Sequence, residues 1–129
     1  MAHKPLIAVV NNDTAFLELM QELLNDEGYE TLIHKEGSTA YQKLKKEQPA
    51  LLILDIRLGA PEEGWNVLEL LKLDPQTASM PVIVCSADAV QLREKAPRLH
   101  ELGCATLEKP FDLAELLALV AQHIGPPQD

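Results

Sequence analysis

Three side chains with complementary chemistry stand at the ends of short apolar segments of this chain. They are the carboxylate of Asp55, the hydroxyl of Ser86 and the ammonium group of Lys109. A carboxylate can act as a nucleophile or as a cation ligand, a hydroxyl can donate a hydrogen bond, and an ammonium group can neutralise an anion. If the fold brings them together, they form a site that can bind or accept an anionic group.

Each of these residues also has an ordinary structural interpretation. Asp55 could end a strand and cap a neighbouring loop, Ser86 could form a serine turn, and Lys109 could be a surface lysine. None of the three is specific by itself, so their meaning depends on the elements that carry them.

Five short apolar runs are predicted to be strands. Two of them, at 51–54 and 82–84, are continuous rather than alternating, which is typical of parallel strands covered on both faces. Pro49 and Pro81 stand before or at strand starts, where a missing N–H is tolerated. The predicted strands are Leu6–Val10, Thr31–His34, Leu51–Leu54, Val82–Cys85 and Ala105–Leu107.

Segments with helical periodicity separate the strands. The first buried stripe is predicted to contain Phe16, Leu19, Met20, Leu23 and Leu24. A weaker second stripe is predicted at Ala40, Tyr41 and Leu44, and a third at Val67, Leu68 and Leu71.

The fourth predicted helix begins after a capping Asp88, and Pro97 should kink or break it. In the last helix, Asp112 should cap, Glu115 should complete a capping box, and Phe111 should pack on Leu116. The buried face of the last helix is predicted to be Leu113, Leu116, Leu117, Val120 and Ile124.

Alternating strands and helices predict an α/β fold with a doubly wound, five-stranded parallel sheet. In such sheets, ligands bind beyond the carboxyl ends of the strands, where the strand order reverses. The residues at those ends are Asn11-Asn12-Asp13, Asp55, Ser86-Ala87 and Lys109-Pro110. The fold therefore predicts that the three side chains meet.

The composition fits one globular domain. The chain has 129 residues and a net charge of −9, which argues against direct binding to nucleic acid. No apolar run reaches the roughly 18 residues that span a membrane, and no export signal is visible, so a cytoplasmic location is expected. One domain over residues 1–129 is predicted, with a core at about 5–124 and a tail at 125–129. Cys85 and Cys104 are predicted to be free, small core residues.

The combination of strand ends resembles the response regulator receiver family of two-component signalling. The stretches Leu54-Asp55-Ile56-Arg57-Leu58 and Glu108-Lys109-Pro110-Phe111-Asp112-Leu113 carry this resemblance, which extends from about Pro5 to Ile124. It implies a flavodoxin-like (βα)5 fold with strand order 2-1-3-4-5. It also implies a signalling module and not an enzyme.

The resemblance assigns a role to each site residue. Asp55 would accept a phosphoryl group, Ser86 would hydrogen-bond it, and Lys109 would pair with a phosphoryl oxygen and with Asp55. The Lys109–Pro110 peptide bond would be cis. Magnesium would lie between Asp55, the backbone carbonyl of Arg57 and acidic residues after the first strand.

The chain departs from the family at those acidic positions. Asn11 and Asn12 stand where two acids are usual, and Asn12 would keep only an oxygen ligand without its charge. Asp13 is the nearby acid that remains, and its alternative role as the cap of the first helix is favoured. A weak or absent Mg²⁺ site, formed by Asp55, Asp13, Asn12 and the Arg57 carbonyl, is therefore expected.

A second departure affects the output. Thr106 occupies the position where the family often carries a Tyr or Phe that moves inward on activation. The Pro97-containing fourth helix is therefore expected to carry any conformational change. The resemblance implies a sensor histidine kinase or phosphotransfer protein as donor. It also implies an unidentified downstream protein that binds the face formed by the fourth helix, fifth strand and fifth helix.

Two other functions remain for comparison. One is a receiver fold that keeps Asp55 but acts only as a protein-interaction module, without phosphorylation. The other is an enzyme of related architecture. Flavodoxin-like binding would need a glycine-rich phosphate loop after the first strand, and a dehalogenase-type phosphatase would carry its nucleophilic Asp there. The segment from Asn11 to Phe16 contains no glycine, and the candidate nucleophile Asp55 follows the third strand, not the first.

Overall fold

Five parallel strands form the centre of the molecule in the computed structural model, which describes residues 4–58, 63–109 and 111–125. Their order is β2-β1-β3-β4-β5, as the family resemblance implied. Three strands extend one residue beyond the predicted ends, so that Asp55, Ser86 and Glu108 are their last residues. The strands are β1 Leu6–Val10, β2 Glu30–His34, β3 Leu51–Asp55, β4 Val82–Ser86 and β5 Ala105–Glu108.

Helices cover both faces of this sheet, so the doubly wound α/β prediction is confirmed. Side chains of α1 and α5 share one core cluster with the strands, whereas those of α2, α3 and α4 share the other. The helices are α1 Thr14–Asp26, α2 Gly37–Glu47, α3 Glu63–Leu73, α4 Ala89–Glu101 and α5 Leu113–Ile124.

Strand β3 shows why its sequence is continuously apolar. Leu51 and Ile53 pack into the cluster under α1 and α5, whereas Leu52 and Leu54 pack into the opposite cluster. All four are at most 1% exposed. Because both faces are buried, every side chain before Asp55 must be apolar.

The predicted buried stripe of α1 is partly wrong. Leu17, Met20 and Leu24 form the buried stripe, and Leu19 is 52% exposed. The helix carries two adjacent apolar stripes, and the neighbouring one, with Phe16, Leu19 and Leu23, lines a groove beside α5, where Phe16 packs at the edge of the core. Periodicity alone could not tell which stripe faces the sheet.

Two details of the later helices also differ from prediction. Asp88 caps α4 by accepting the Gln91 N–H at 3.0 Å, as predicted, but α4 continues through Pro97 without a break. The buried side chains Leu92 and Leu99 anchor the helix to the core on both sides of the proline, which explains its continuity.

Helix α5 begins after Asp112, but in the described residues this side chain makes no capping hydrogen bond. Its backbone carbonyl accepts the Leu116 N–H at 3.2 Å instead. Leu116 and Val120 are buried as predicted, whereas Leu113 is 38% exposed. Phe111 packs into the same cluster as Leu116.

Both cysteines are free thiols, as predicted. Cys85 is buried in β4, and Cys104 precedes β5 near the other end of the sheet. Burial raises the pKa of the Cys85 thiol to about 12, so this thiol stays protonated near neutral pH.

Helices α3 and α4 meet through an aromatic contact. The Lys95 ammonium of α4 lies 4.6 Å from the centroid of the half-buried Trp65 ring of α3. A cation over the face of an indole is attracted by its negative π surface. This contact joins the two helices that flank the end of β3 and β4.

A second contact joins α2 to the end of α3. The Tyr41 hydroxyl donates to an Asp74 carboxylate oxygen, Lys45 lies 3.0 Å from the same oxygen, and the Gln76 N–H donates to the other at 2.9 Å. The Tyr41 hydrogen bond, followed by those from Gln76 and Lys45, lowers the pKa of Asp74 to about 2.

This cluster predicts an acid-dependent loss of stability. Because the Asp74 pKa is lower in the folded chain, the stabilisation is complete above about pH 4 and is lost as the pH falls to about 2. Asp74→Asn should make the free energy of unfolding less dependent on pH in this window, as measured by urea unfolding at several pH values. Parallel curves for the variant and the wild type would contradict this.

Gly64 lets α3 approach the end of β3. A methyl group at this position would lie 2.3 Å from the Ile56 carbonyl oxygen and 2.5 Å from the Asp55 carbonyl oxygen. Both neighbours are backbone atoms, so a side chain at 64 would displace either the helix or the strand end. The absence of a side chain at Gly64 therefore allows α3 to pack directly against the backbone at the end of β3.

Gly64→Ala is expected to destabilise the fold by about 1–3 kcal/mol, the usual cost of forcing an extra carbon into a packed site. Urea unfolding followed by circular dichroism measures this. Asn66→Ala, at an exposed position of the same helix, is the matched control and should change stability by no more than about 0.5 kcal/mol. Equal effects of the two substitutions would show that the close approach is not important.

Candidate functional site

The carboxyl ends of β3, β4 and β5 bring the three candidate side chains to one edge of the sheet. The Lys109 ammonium nitrogen lies 3.0 Å from Asp55 Oδ2. Ser86 and Asp55 line the same cavity, which has a volume of about 430 Å³. The predicted convergence is therefore present, whereas the roles of these residues remain predictions.

Three donors hold the Asp55 carboxylate. Its Oδ1 accepts the Arg57 backbone N–H at 2.9 Å, and its Oδ2 accepts the Asn11 side-chain amide at 3.1 Å together with Lys109. The side chain is only 12% exposed. A carboxylate offers about four acceptor positions, so one position on Oδ1 remains available for bonding.

Asn11 has a role that the sequence did not reveal. It is 1% exposed, its amide nitrogen donates to Asp55, and its Oδ1 accepts the Asp13 backbone N–H at 2.8 Å. The signal was the strand order, because Val10 pairs with Leu54 and the next residues, Asn11 and Asp55, must therefore be neighbours. Asn11 is a hydrogen-bond donor to Asp55, not simply a metal ligand without its charge.

The other two residues after β1 are exposed. Asp13 Oδ1 accepts the backbone N–H groups of Ala15 at 3.0 Å and Phe16 at 3.3 Å, so Asp13 is the N-cap of α1. This is the role that the sequence favoured. Asn12 is exposed.

Ser86 links the strand edge to α4. Its hydroxyl oxygen accepts the Asp88 N–H at 3.0 Å, which is the serine turn considered from the sequence. Its backbone carbonyl accepts the Lys109 N–H at 2.9 Å. The hydroxyl hydrogen can still be donated to a group bound in the cavity.

An ion pair lies across the same cavity. Arg57, from the loop after β3, places its guanidinium group 3.2 Å from Asp88 Oδ2. The two side chains are 56% and 33% exposed, respectively, and both line the cavity with Asp55. This pair connects the loop after β3 to the first turn of α4.

Aromatic rings position the Lys109 ammonium group. It lies 4.3 Å from the centroid of the Phe16 ring, which contacts the Phe111 ring edge-on at a centroid distance of 6.5 Å. The cation–π contact orients the ammonium group while its hydrogen bond to Asp55 remains. The predicted cis bond between Lys109 and Pro110 lies outside the described residues, because Pro110 is not among them.

The side chains around Asp55 do not provide the ligands of a strong Mg²⁺ site. Mg²⁺ requires oxygen ligands, mainly carboxylates and water, but Asn11 turns its amide nitrogen towards Asp55 and Asp13 caps α1. In the described part of the chain, no group of three or more His, Cys, Asp or Glu side chains could hold a metal ion. Of the predicted ligands, Asp55 is the carboxylate that remains for this purpose.

Fold and site together define a receiver domain. The response regulator receiver domain family matches residues 7–121, and the chain belongs to this family of two-component signalling modules. The polar-differentiation response regulator DivK of Brucella anthropi is 28% identical over 121 residues, which cover 92% of this chain and 95% of DivK.

Solved receiver domains share the same fold. The non-phosphorylated HemR receiver domain of Leptospira biflexa is 26% identical, with a TM-score of 0.83 and 98% of each chain covered. The receiver domain of the sensor histidine kinase PA1611 from Pseudomonas aeruginosa is 21% identical, with a TM-score of 0.81, covering 95% of this chain and 99% of its own. That structure contains a magnesium ion coordinated in its active-site cleft.

Asn11→Ala is expected to destabilise the chain by about 1–3 kcal/mol, because the Asp13 N–H and the mostly buried Asp55 carboxylate each lose the buried Asn11 side chain as a partner. The measurement is urea unfolding near neutral pH. Asn12→Ala removes the adjacent exposed amide and is the matched control, with a change of no more than about 0.5 kcal/mol. If both variants matched the wild type, the hydrogen bonds of Asn11 would have no structural importance.

Proposed function

We propose that this receiver domain accepts a phosphoryl group on Asp55. The observation that supports this most strongly is the convergence of the Asp55 carboxylate, the Lys109 ammonium group and the Ser86-lined cavity at one sheet edge. A nucleophile, a cation bonded to it and a hydroxyl donor in the adjoining cavity are the groups that phosphoryl transfer requires.

In the proposed reaction, an Asp55 oxygen forms a bond to phosphorus of a phosphohistidine. The N–P bond breaks, and its electron pair goes to the imidazole nitrogen. Asp55 becomes an acyl phosphate, and the added negative charge is offset by Lys109, which already bonds the carboxylate at 3.0 Å. The Ser86 hydroxyl would donate its hydrogen to a phosphoryl oxygen.

Magnesium is proposed to bind weakly or not at all. The predicted ligands, Asp55, Asp13, Asn12 and the Arg57 carbonyl, provide two carboxylates, and Asp13 is engaged at the start of α1. One lost unit charge about 4 Å from a cation removes roughly 4 kcal/mol of gross attraction per unit of cation charge at an effective dielectric of ~20. The two asparagines after β1 therefore disfavour a tightly held Mg²⁺ ion.

The donor is proposed to be a sensor histidine kinase or a phosphotransfer protein, and the output a contact with a downstream protein. Thr106 is exposed on β5 in place of the aromatic ring frequent in the family. Helix α4 is therefore proposed to transmit the change, because Asp88 joins its first turn to Ser86 and Arg57.

The domain extent, location and binding partners are proposed together with this role. We propose one receiver domain over residues 1–129 that acts in the cytoplasm as a signalling module and not as an enzyme, without binding nucleic acid or membrane. No helix within the described ranges has the length and apolar character needed to cross a bilayer. The net charge of −9 disfavours contact with nucleic-acid phosphates.

A second candidate is a receiver fold that binds partners without phosphorylation. It is supported by the hydrogen bonding of Asp55, because three donors stabilise its carboxylate without any added ion. In this case, the surface formed by α4, β5 and α5 would bind its partner constitutively.

Incubation with acetyl phosphate or phosphoramidate and Mg²⁺, followed by intact-mass measurement, separates the two candidates. Phosphorylation predicts the mass gain of one phosphoryl group in the wild type and no gain in Asp55→Asn. No gain with either donor would overturn phosphorylation and favour the interaction module. A gain that persists in Asp55→Asn would place the modification on another residue.

A further inference from the structure

Arg57 is the second cation at the cavity next to Asp55. Its backbone N–H already bonds Asp55 Oδ1 at 2.9 Å, which places the start of its side chain beside the carboxylate. Arg57 lines the cavity together with Asp55 and Ser86, and its guanidinium group lies 3.2 Å from Asp88, another lining residue. Lys109 and Arg57 are thus the positive groups that the described residues bring to this site.

The current partner of Arg57 can be exchanged. The ion pair with Asp88 has a single contact at 3.2 Å, and the Arg57 side chain is 56% exposed. Exposed ion pairs contribute little to stability, so leaving this partner costs little. Asp88 would keep its structural role, because its other oxygen caps α4 through the Gln91 N–H.

A phosphoryl group on Asp55 would change the balance between these partners. The phosphorylated side chain carries about two negative charges at physiological pH and several acceptor oxygens, whereas Asp88 offers one negative charge. A planar guanidinium group binds phosphoryl oxygens through paired hydrogen bonds. The Asn11 amide and Lys109 occupy Oδ2, so the remaining acceptor on Asp55 is on the oxygen next to Arg57.

We infer that Arg57 is a phosphoryl-binding residue, which leaves Asp88 and neutralises the phosphorylated Asp55 without a divalent cation. This inference rests on the proposed phosphorylation of Asp55. The Arg57 guanidinium group would thus supply the positive charge that Mg²⁺ supplies in a site with suitable ligands. Phosphorylation is also predicted to break the Arg57–Asp88 ion pair, which connects the loop after β3 to α4.

The test measures the rate of phosphorylation by phosphoramidate with Mg²⁺ and with EDTA, using intact mass. The wild type should react at rates within about threefold of each other in the two buffers. Arg57→Gln should lower the rate in EDTA by about tenfold or more, the ratio expected for losing a hydrogen bond to a charged group. Arg57→Lys should restore part of the rate, because the charge is kept but not the paired geometry.

Asp88→Asn distinguishes binding from a structural effect, because it breaks the same ion pair from the other side. An asparagine still caps α4, and Arg57 no longer has a competing carboxylate, so the rate should rise by about two- to fivefold, the range set by an exposed ion pair. Arg98→Gln, which removes an arginine from an exposed ion pair with Glu101, is the matched control and should not change the rate. Circular dichroism verifies that each variant is folded.

Three results would overturn the inference. Phosphorylation that requires Mg²⁺ would reject it while leaving Asp55 as the acceptor. Equal rate losses in Arg57→Gln and Asp88→Asn would show that the ion pair is only structural. No phosphorylation of the wild type in either buffer would reject both the inference and the proposed function.

Discussion

The negative charge of Asp55 at the edge of a buried strand is the constraint on which the site depends. A mostly buried carboxylate requires nearby donors, since an unpaired charge in such a place is costly. Lys109 from the end of β5 and Asn11 from the end of β1 provide them on one oxygen. Strands that are distant in sequence are therefore tied together by one side chain, and the strand order β2-β1-β3-β4-β5 makes this possible.

The sequence predicted the fold because its signals were redundant. Apolar runs covered on both faces, helical periods and turn residues all indicated the same alternating sheet. The site residues followed from one topological rule, since the carboxyl ends of parallel strands share one edge. Their chemistry came from a family resemblance.

What the sequence could not predict was how side chains orient. The family resemblance identified Asn11 as a position that has lost a charge. The pairing of β1 with β3 makes it a neighbour of Asp55, and the side-chain geometry shows that its amide donates to that carboxylate. Likewise, periodicity could not choose between two adjacent stripes on α1. The continuity of α4 at Pro97 depends on tertiary burial of Leu92 and Leu99, which local rules about proline do not include.

The contact between Trp65 and Lys95 has a practical consequence. The chain has a single tryptophan, and its ring lies on α3 against α4, close to the elements that the site connects. Indole emission responds to a nearby cation and to changes in solvent exposure. The protein thus contains an intrinsic optical probe, which can register a displacement of α4 relative to α3 in solution without any label or added chromophore.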